Sequence, residues 1–258
     1  MTPLAEKHII VTGASTGIGR ATAQMLGERG ARVSLIARRA DVLAEAVAEI
    51  EAAGGQARAF VADVADRIAL GGAFAAATDT YGAADGLFAN AGFGGTFAPF
   101  TAYSDANWDT MIATNQTSVF LSIRHVLPAM LARKSGSIVV TGSLASERGL
   151  ANNAGYIASK HAVLGLARAA AVEAAPHNVR VNCVLPGLIE TPLLHTIGGN
   201  NIRAAMEMMG RAVPQGRIGT AKETAEVVCF LLSDAASHVT GQSWAVDGGI
   251  LGTLALGG

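Results

Sequence analysis

Three side chains, Ser143, Tyr156 and Lys160, have the types and the spacing that acid–base chemistry requires. Residues four apart in a helix share a face, so Tyr156 and Lys160 would lie along one side. An ordinary tyrosine has a pKa of about 10, and a nearby ammonium group favours its phenolate form. The hydroxyl of Ser143 would hold a substrate oxygen beside the phenol. We interpret Tyr156 as the proton donor and acceptor of a redox reaction, although this Tyr–Lys spacing also occurs by chance on many helices.

A glycine-rich turn near the start of the chain predicts the site of a dinucleotide. The β-branched run Ile9–Val11 indicates a buried strand, and the turn Thr12–Gly19 follows it with glycines at 13, 17 and 19. These glycines would let the backbone approach a pyrophosphate closely, and the next helix would direct its N-terminal N–H groups at that anion. A strand, a glycine-rich turn and a helix in this order are more specific than glycines alone.

The end of the next predicted strand indicates which dinucleotide binds. Folds of this type hold a ribose 2′-OH with an acidic residue about 20 positions after the glycines, whereas arginine accommodates a 2′-phosphate. Here the strand ends at Ala37 and is followed by Arg38 and Arg39. A guanidinium group suits a phosphate, so we predict NADP(H), with Ser15 adding a hydroxyl. Arg39 has an alternative role as a solvated charge at the start of a helix.

Two polar residues, Asp63 and Asn115, have open alternatives, and a third, Asn90, has an expected structural role. Asp63 would accept a hydrogen bond from the adenine amino group or cap the helix that begins near Asp66. Asn90 is expected to lock the tip of a strand by bonding to neighbouring backbone. Asn115 lies in an apolar run and is costly to bury unless its amide is paired. Its carbonyl would hold a water molecule that touches Lys160, or the residue would bridge a kink in the helix that it opens.

The least patterned parts of the chain are expected to surround the substrate. Phe93–Tyr103 is predicted as a loop whose phenylalanines wall a pocket or cover the core. Residues 144–154 form a second loop that faces the pocket with Glu147, Arg148, Asn152 and Asn153. Residues 190–215 are rich in methionine and glycine, which indicates a mobile lid, with an ordinary helical insertion as the alternative. His195 in this segment is a candidate for substrate contact.

Strand and helix patterns alternate about seven times, which predicts one α/β domain over residues 1–258 with a doubly wound, parallel, seven-stranded sheet. Asp41 is predicted to cap the second helix, and Thr220 with Glu223 forms a capping box for the last. The predicted strands are Ile9–Val11, Val33–Ala37, Arg58–Ala62, Gly86–Ala89, Ser137–Thr141, Val179–Leu185 and Ser243–Val246.

The composition narrows the function further. Apolar residues make up 50% of the 258 residues, charged residues 15%, and the net charge is −1. Without a basic stripe, neither nucleic acid nor an anionic membrane is an expected partner. Cys183 and Cys229 are isolated in apolar runs, which indicates free thiols in a reducing compartment. We expect a cytoplasmic protein without a signal peptide or membrane span, and the spacing of the six histidines indicates no catalytic metal.

Taken together, these motifs resemble the short-chain dehydrogenase/reductase family along essentially the whole chain. The resemblance implies a catalytic tetrad of Asn115, Ser143, Tyr156 and Lys160, hydride transfer between nicotinamide and a carbinol carbon, and a homotetramer formed through two long apolar helices. It includes Thr12-Gly-x-x-x-Gly-x-Gly19, Asp63, Asn90-Ala-Gly92, Asn115, Ser143, Tyr156-x-x-x-Lys160, Asn182, Pro186-Gly187, Thr191 and Asp247-Gly-Gly249.

The sequence thus predicts an NADP-dependent alcohol dehydrogenase or carbonyl reductase that acts on a small molecule. The alternatives are a 3-oxoacyl-carrier-protein reductase and, more remotely, a non-catalytic dinucleotide sensor, whereas the short Tyr–Lys spacing argues against the enoyl-reductase branch. The residues expected at the cofactor are Gly13, Ser15, Thr16, Gly17, Ile18, Gly19, Arg38, Arg39, Asp63, Val64, Asn90, Ala91, Gly92, Tyr156, Lys160, Pro186, Gly187, Ile189 and Thr191.

Overall fold

The computed structural model of the chain describes residues 4–192, 194 and 202–253. A seven-stranded sheet forms the centre of the molecule, and its strands are all parallel. This confirms the predicted fold class. The strands of this sheet are β1 (His8–Thr12), β2 (Arg32–Ala37), β3 (Gln56–Val61), β4 (Gly86–Ala89), β5 (Gly136–Thr141), β6 (Val179–Pro186) and β9 (Ser243–Val246).

The strand order in space is β3-β2-β1-β4-β5-β6-β9. The order therefore reverses beside β1, and the carboxyl ends of β1 and β4 flank the crevice in which ligands of open α/β sheets bind. A separate pair of two-residue strands, β7 (Ile189–Glu190) and β8 (Gly219–Thr220), was not predicted. Each of these strands is too short to show a periodic pattern in the sequence.

Helices cover both faces of the sheet because strands buried on both sides need apolar cover on each. One core layer packs the first, second and last helices against the sheet, and the other packs the third, fifth and sixth. The helices are α1 (Gly17–Glu28), α2 (Ala40–Ala52), α3 (Arg67–Tyr81), α4 (Asp105–Ile112), α5 (Ser118–Arg133), α6 (Ala154–Ala174), α7 (Ile202–Arg211) and α8 (Ala221–Leu232).

One predicted helix cap is wrong, one of two alternatives for Asp63 is excluded, and one predicted cap is confirmed. Helix α2 begins after Arg39, so Asp41 lies inside its first turn and does not cap it. Helix α3 is capped by Asp66, whose carboxylate accepts from the N–H groups of Ile68 and Ala69. For the last helix, α8, the predicted capping box of Thr220 and Glu223 is present. Asp63 therefore does not cap α3.

Helices α4 and α5 are joined by a π-helical turn, Ala113–Thr117, which contains Asn115. The sequence predicted one helix opening at Asn115, whereas α5 itself begins three residues later. Such turns insert an extra residue into a helix and often occur at functional sites.

The segment predicted as a lid is described only in part. Its helix α7 carries all three methionines of the segment, Met206, Met208 and Met209. His195 and most of the preceding residues lie outside the described part of the chain. In the described residues, no helix is both long and apolar enough to cross a bilayer.

Candidate active site

A cavity of about 790 Å³ opens along the carboxyl edge of the sheet. It is lined by the turn after β1, the ends of β2 to β6 and the first turns of α6. All the predicted cofactor residues line it except Gly19, which lies behind the turn. The topology therefore brings together residues that are up to 178 positions apart, between Gly13 and Thr191.

The glycine-rich turn has the close packing that a pyrophosphate site needs. Gly13 has φ +66°, and a Cβ added there would lie 2.8 Å from the Cα of Ala91. A Cβ on Gly19 would lie 2.2 Å from the carbonyl oxygen of Gly13 and 2.6 Å from the amide nitrogen of Asn90. Only glycine fits these two positions without displacing backbone. The residues present therefore fit a dinucleotide, with the first turn of α1 facing its phosphates.

Asn90 holds this turn in place, as the sequence predicted. Its Nδ2 donates to the carbonyl oxygens of Thr12 and Gly13, each at 3.3 Å. Its Oδ1 accepts from the hydroxyl of Thr141 at 3.1 Å. One amide thus links the carboxyl ends of β1, β4 and β5.

At one end of the cavity, Arg38 is exposed and lies next to Asp63. The guanidinium Nη1 is 3.8 Å from the nearer carboxylate oxygen of Asp63, and Arg39 and Ser15 line the same region. The sequence has no carboxylate at the end of β2, but Asp63, which follows β3, lies beside that end. Asp63 also accepts from the N–H of Ala65 at 2.9 Å.

At the opposite end of the cavity, Ser143, Tyr156 and Lys160 come together. Ser143 follows β5 and Tyr156 lies in the first turn of α6, and the hydroxyl of Ser143 is close enough to the phenol to lower its pKa. The Nζ of Lys160 is 5.7 Å from the centre of the Tyr156 ring and donates to the carbonyl oxygen of Thr141 at 2.8 Å. The predicted spacing thus places all three side chains at one point.

The acidities of these groups differ from the sequence-based expectation. Burial raises the pKa of Tyr156, and the hydrogen bond from Ser143 offsets only part of that rise. Burial also lowers the pKa of Lys160 to about 8. Desolvation therefore outweighs the effect of Ser143, and Tyr156 is a weaker acid than an ordinary tyrosine.

Asn115 lies behind the cavity and is fully buried. Its Oδ1 accepts from the N–H of Phe93 at 3.0 Å, and its Nδ2 donates to the carbonyl of Phe93 at 2.9 Å. A Cβ on Gly92 would be 3.2 Å from this Oδ1 and 3.6 Å from the Nζ of Lys160. The side chain is paired, as burial requires, and it fixes the loop that passes next to Lys160.

The wall of the cavity near Tyr156 consists of two loops that are bonded to each other. The N–H of Ala98 donates to the carbonyl of Asn152 at 2.8 Å, and the Nδ2 of Asn153 donates to the carbonyl of Gly94 at 3.0 Å. Phe93 and Phe97 line the cavity, whereas Phe100 is exposed outside it. Arg148 and Asn153 line it too, but Glu147 and Asn152 do not.

Comparison with known proteins identifies the family to which this chain is similar. A family model described as enoyl-(acyl carrier protein) reductase matches residues 13–251. Cyclohexanol dehydrogenase from Acinetobacter sp. (strain SE19) is 40% identical over 242 residues, which cover 94% of each chain. Cis-4-hydroxycyclohexanecarboxylate dehydrogenase from Sinomonas cyclohexanicum is 40% identical over 247 residues, covering 95% of this chain and 96% of that protein.

A solved structure agrees with these relatives. The crystal structure of levodione reductase superposes with a TM-score of 0.91 at 36% identity, covering 95% of this chain and 97% of that one. The chain belongs to the short-chain dehydrogenase/reductase family. It is therefore an oxidoreductase of the kind that acts on CH–OH groups and uses a nicotinamide dinucleotide.

This short-chain dehydrogenase/reductase also has cavity residues that no sequence pattern singled out, although three of them, Leu144, Leu150 and Leu194, lie in segments predicted to surround the substrate. They are apolar side chains near the predicted reaction end, and apolar residues in loops have no periodicity that separates a cavity wall from a core contact. The residues are Leu144, Leu150, Ile157, Leu188, Leu194 and Ile250.

Proposed function

We propose that this short-chain dehydrogenase/reductase interconverts a secondary alcohol and a ketone with NADP(H), and that Tyr156 is its general acid and base. The observation that carries the proposal is the placement of Ser143, Tyr156 and Lys160 together at one end of a cavity whose other end holds a glycine-rich turn and Arg38. This is the relative placement that a long dinucleotide and a small substrate require together.

Each member of the tetrad has a distinct role in this proposal. When bound, the nicotinamide cofactor supplies the hydride in reduction and accepts it in oxidation. Ser143 and Tyr156 hold the substrate oxygen, and Tyr156 gives that oxygen a proton in reduction and removes one in oxidation. Lys160 binds the nicotinamide ribose and, with water near Asn115, relays protons to Tyr156.

The preference for NADP(H) follows from the charge at the adenosine end. Arg38 is exposed and free to turn towards a 2′-phosphate, with Arg39 and the hydroxyl of Ser15 nearby. Asp63 is 3.8 Å from Arg38, which is too long for a tight ion pair. The backbone at Ile189 and the hydroxyl of Thr191 are proposed to hold the carboxamide, because both line the cavity on the side of β6.

The substrate class is proposed from the relatives and the cavity wall together. Two relatives are named for cyclohexanol and for a hydroxycyclohexanecarboxylate. The wall near Tyr156 is formed by phenylalanine, leucine and isoleucine side chains, which suit an apolar ring. We therefore propose that the substrate is a six-membered carbocyclic alcohol or ketone.

The working form is proposed to be a homotetramer in the cytoplasm. Helices α5 and α6 leave Phe120 and Val172 exposed on their outer faces, which supports contact with a second copy. Both cysteines are free and buried, which supports a reducing compartment.

The test is turnover of cyclohexanone by the wild-type protein and by Tyr156→Phe, with NADPH and then with NADH. The wild type is expected to prefer NADPH by at least about tenfold in kcat/KM. Tyr156→Phe is expected to lose about 10²–10⁴-fold in kcat because the general acid is removed, and it should still bind NADPH by fluorescence titration. Equal turnover by both proteins would contradict a catalytic Tyr156. NADPH binding without turnover of any ketone by the wild type would favour the sensor, whereas turnover of an acetoacetyl thioester alone would favour the 3-oxoacyl reductase.

A further inference from the structure

Titratable groups line the cavity in two separate sets. Arg38, Arg39 and Asp63 lie at the adenosine end. Arg148 lies at the reaction end, with Tyr156 and Lys160. Among the described residues, no aspartate or glutamate lines the reaction end. The basic side chains of Arg148 and Lys160 at this end therefore have no acidic counterpart among the described residues of the cavity wall.

The guanidinium group of Arg148 has most of its hydrogen-bonding capacity free. Its Nη1 donates to the carbonyl of Glu147 at 3.3 Å, and its Nη2 donates to the carbonyl of Leu251 at 3.2 Å. Both partners are neutral backbone groups, and an arginine has five N–H donors. The neighbouring carboxylate of Glu147 accepts from the hydroxyl of Ser243 at 3.3 Å. In the part of the chain that the structure describes, Arg148 has no ion-pair partner.

The surroundings of Arg148 on the cavity wall are apolar. Leu144 and Leu150 flank it in the same loop, and Ile157 and Ile250 line the same region. Ligand sites of this composition bind the body of a ligand through apolar contacts and orient it through a few polar groups. With a single cation on an apolar wall, a site selects its ligands by their charge as well as by their shape.

We infer that Arg148 binds a carboxylate on the substrate, so that the enzyme acts best on a carbocyclic alcohol or ketone that carries one negative charge in addition to the reacting oxygen. This inference rests on the proposed function for the reacting part of the substrate. A carboxylate matches the planar fork of arginine and accepts two parallel N–H bonds from it. The two backbone bonds to Glu147 and Leu251 hold the guanidinium group beside the cavity before the ligand arrives.

Binding is measured first, because it does not depend on turnover. Cyclohexanecarboxylate and cyclohexanecarboxamide have the same ring and nearly the same shape, and differ in charge. Isothermal titration of the protein saturated with NADP⁺ is expected to show about tenfold tighter binding of the carboxylate. That difference should shrink at high salt, because Arg148 is exposed.

Three variants assign the difference to Arg148. Arg148→Ala is expected to bind the two compounds equally, and Arg148→Lys to retain part of the preference because it keeps the charge and loses the fork. Arg58→Ala removes a positive charge outside the cavity and should keep the full preference. Equal binding of both compounds by the wild type, or an unchanged preference in Arg148→Ala, would overturn the inference.

Turnover then separates this inference from the proposed function. With NADPH, 4-oxocyclohexanecarboxylate is expected to have a kcat/KM about tenfold above that of its carboxamide, mainly through KM, and the ratio should fall towards one in Arg148→Ala. If no ring ketone is reduced while the carboxylate still binds through Arg148, the proposed function fails and the anion site stands. If both ketones are reduced equally well by the wild type, the anion site fails and the proposed function stands.

Discussion

The hydroxyl of Tyr156 is subject to opposing effects that only the folded chain reveals. Burial favours the neutral phenol, whereas Ser143 and any nearby positive charge favour the phenolate. In the ligand-free protein burial dominates, so the general base needed for alcohol oxidation is not preformed. We expect the positive ring of the oxidised cofactor to supply the missing stabilisation of the phenolate.

This expectation gives a titration experiment. The difference in phenolate absorbance between the wild type and Tyr156→Phe should show that Tyr156 ionises only above pH 10 in the cofactor-free protein, because its pKa is raised. Saturation with NADP⁺ should move that ionisation to lower pH. Ionisation near neutral pH without cofactor would show that the oxidised cofactor is not needed to activate the phenol.

Arg38 gives a second prediction at the level of one side chain. Arg38→Ala should raise the KM for NADPH about tenfold or more, since a charge-assisted bond to phosphate is lost, and should leave the KM for NADH within about threefold. The matched variant is Arg39→Ala, which removes the neighbouring charge at the start of α2. If each variant changes the KM for NADPH and the KM for NADH to the same extent, the assignment of the 2′-phosphate to Arg38 is wrong. It is also wrong if the wild type prefers NADH.

At the scale of elements, the turn between β1 and α1 depends on two interlocked contacts. Gly19 packs against the carbonyl of Gly13, and Asn90 bonds that same carbonyl from the end of β4. A methyl group at Gly19 cannot be accommodated by a side-chain rotation alone, because the nearest atom is backbone.

Gly19→Ala is therefore expected to weaken NADPH binding by at least about tenfold and to lower the melting temperature. Gly72→Ala is the control, because Gly72 lies in α3 with open space around its Cα. There alanine should stabilise the helix by up to about 1 kcal/mol. Calorimetry and fluorescence titration measure both effects, and normal NADPH binding by Gly19→Ala would show that the turn has more room than the structure indicates.

The sequence predicted the main elements well because their signals are periodic or local. Every strand of the main sheet was placed within two residues, since most of them are short, apolar, buried runs. The largest shift is at β3, whose residues are mostly exposed and whose apolar pattern is therefore weak. The capping box of Thr220 was also predicted, because its pattern lies within four residues. The cap predicted at Asp41 is wrong, because α2 begins one residue before it. Of the two roles left open for Asp63, the cap is excluded, because Asp66, three residues further on, caps α3.

Part of the site could also be predicted, because its signals are local in the sequence. Tyr156 and Lys160 are one helical turn apart, so their proximity follows from the local geometry alone. The carboxylate of Asp63 beside Arg38 and the apolar side chain of Ile250 come from distant elements, and only the order of the strands brings them together. The pKa of Tyr156 depends on how completely the surroundings exclude water, which no local pattern records.

At the scale of the whole molecule, the outer faces of α5 and α6 remain uncovered in the single chain. Val172 on α6 is 77% exposed, and Ile68 on α3 is 88% exposed. If α5 and α6 form the proposed interface, a charge at Val172 should disrupt it, since a buried charge without a partner is costly.

Val172→Asp is expected to shift the protein from a tetramer to smaller species in mass photometry, with an unchanged circular dichroism spectrum. Ile68→Asp introduces the same charge at an equally exposed position on α3 and should leave the mass unchanged. A monomeric wild type would show that the chain has no such interface. A Val172→Asp protein with the wild-type mass would show that the interface lies elsewhere.

The two bonds between the loops that contain Gly94 and Asn153 have a consequence for altering the enzyme's selectivity. Because each loop fixes the other, a replacement in one changes the shape presented by both. Beneficial substitutions should therefore depend on each other, and libraries that randomise the two segments jointly should yield new specificities that stepwise single-loop libraries miss.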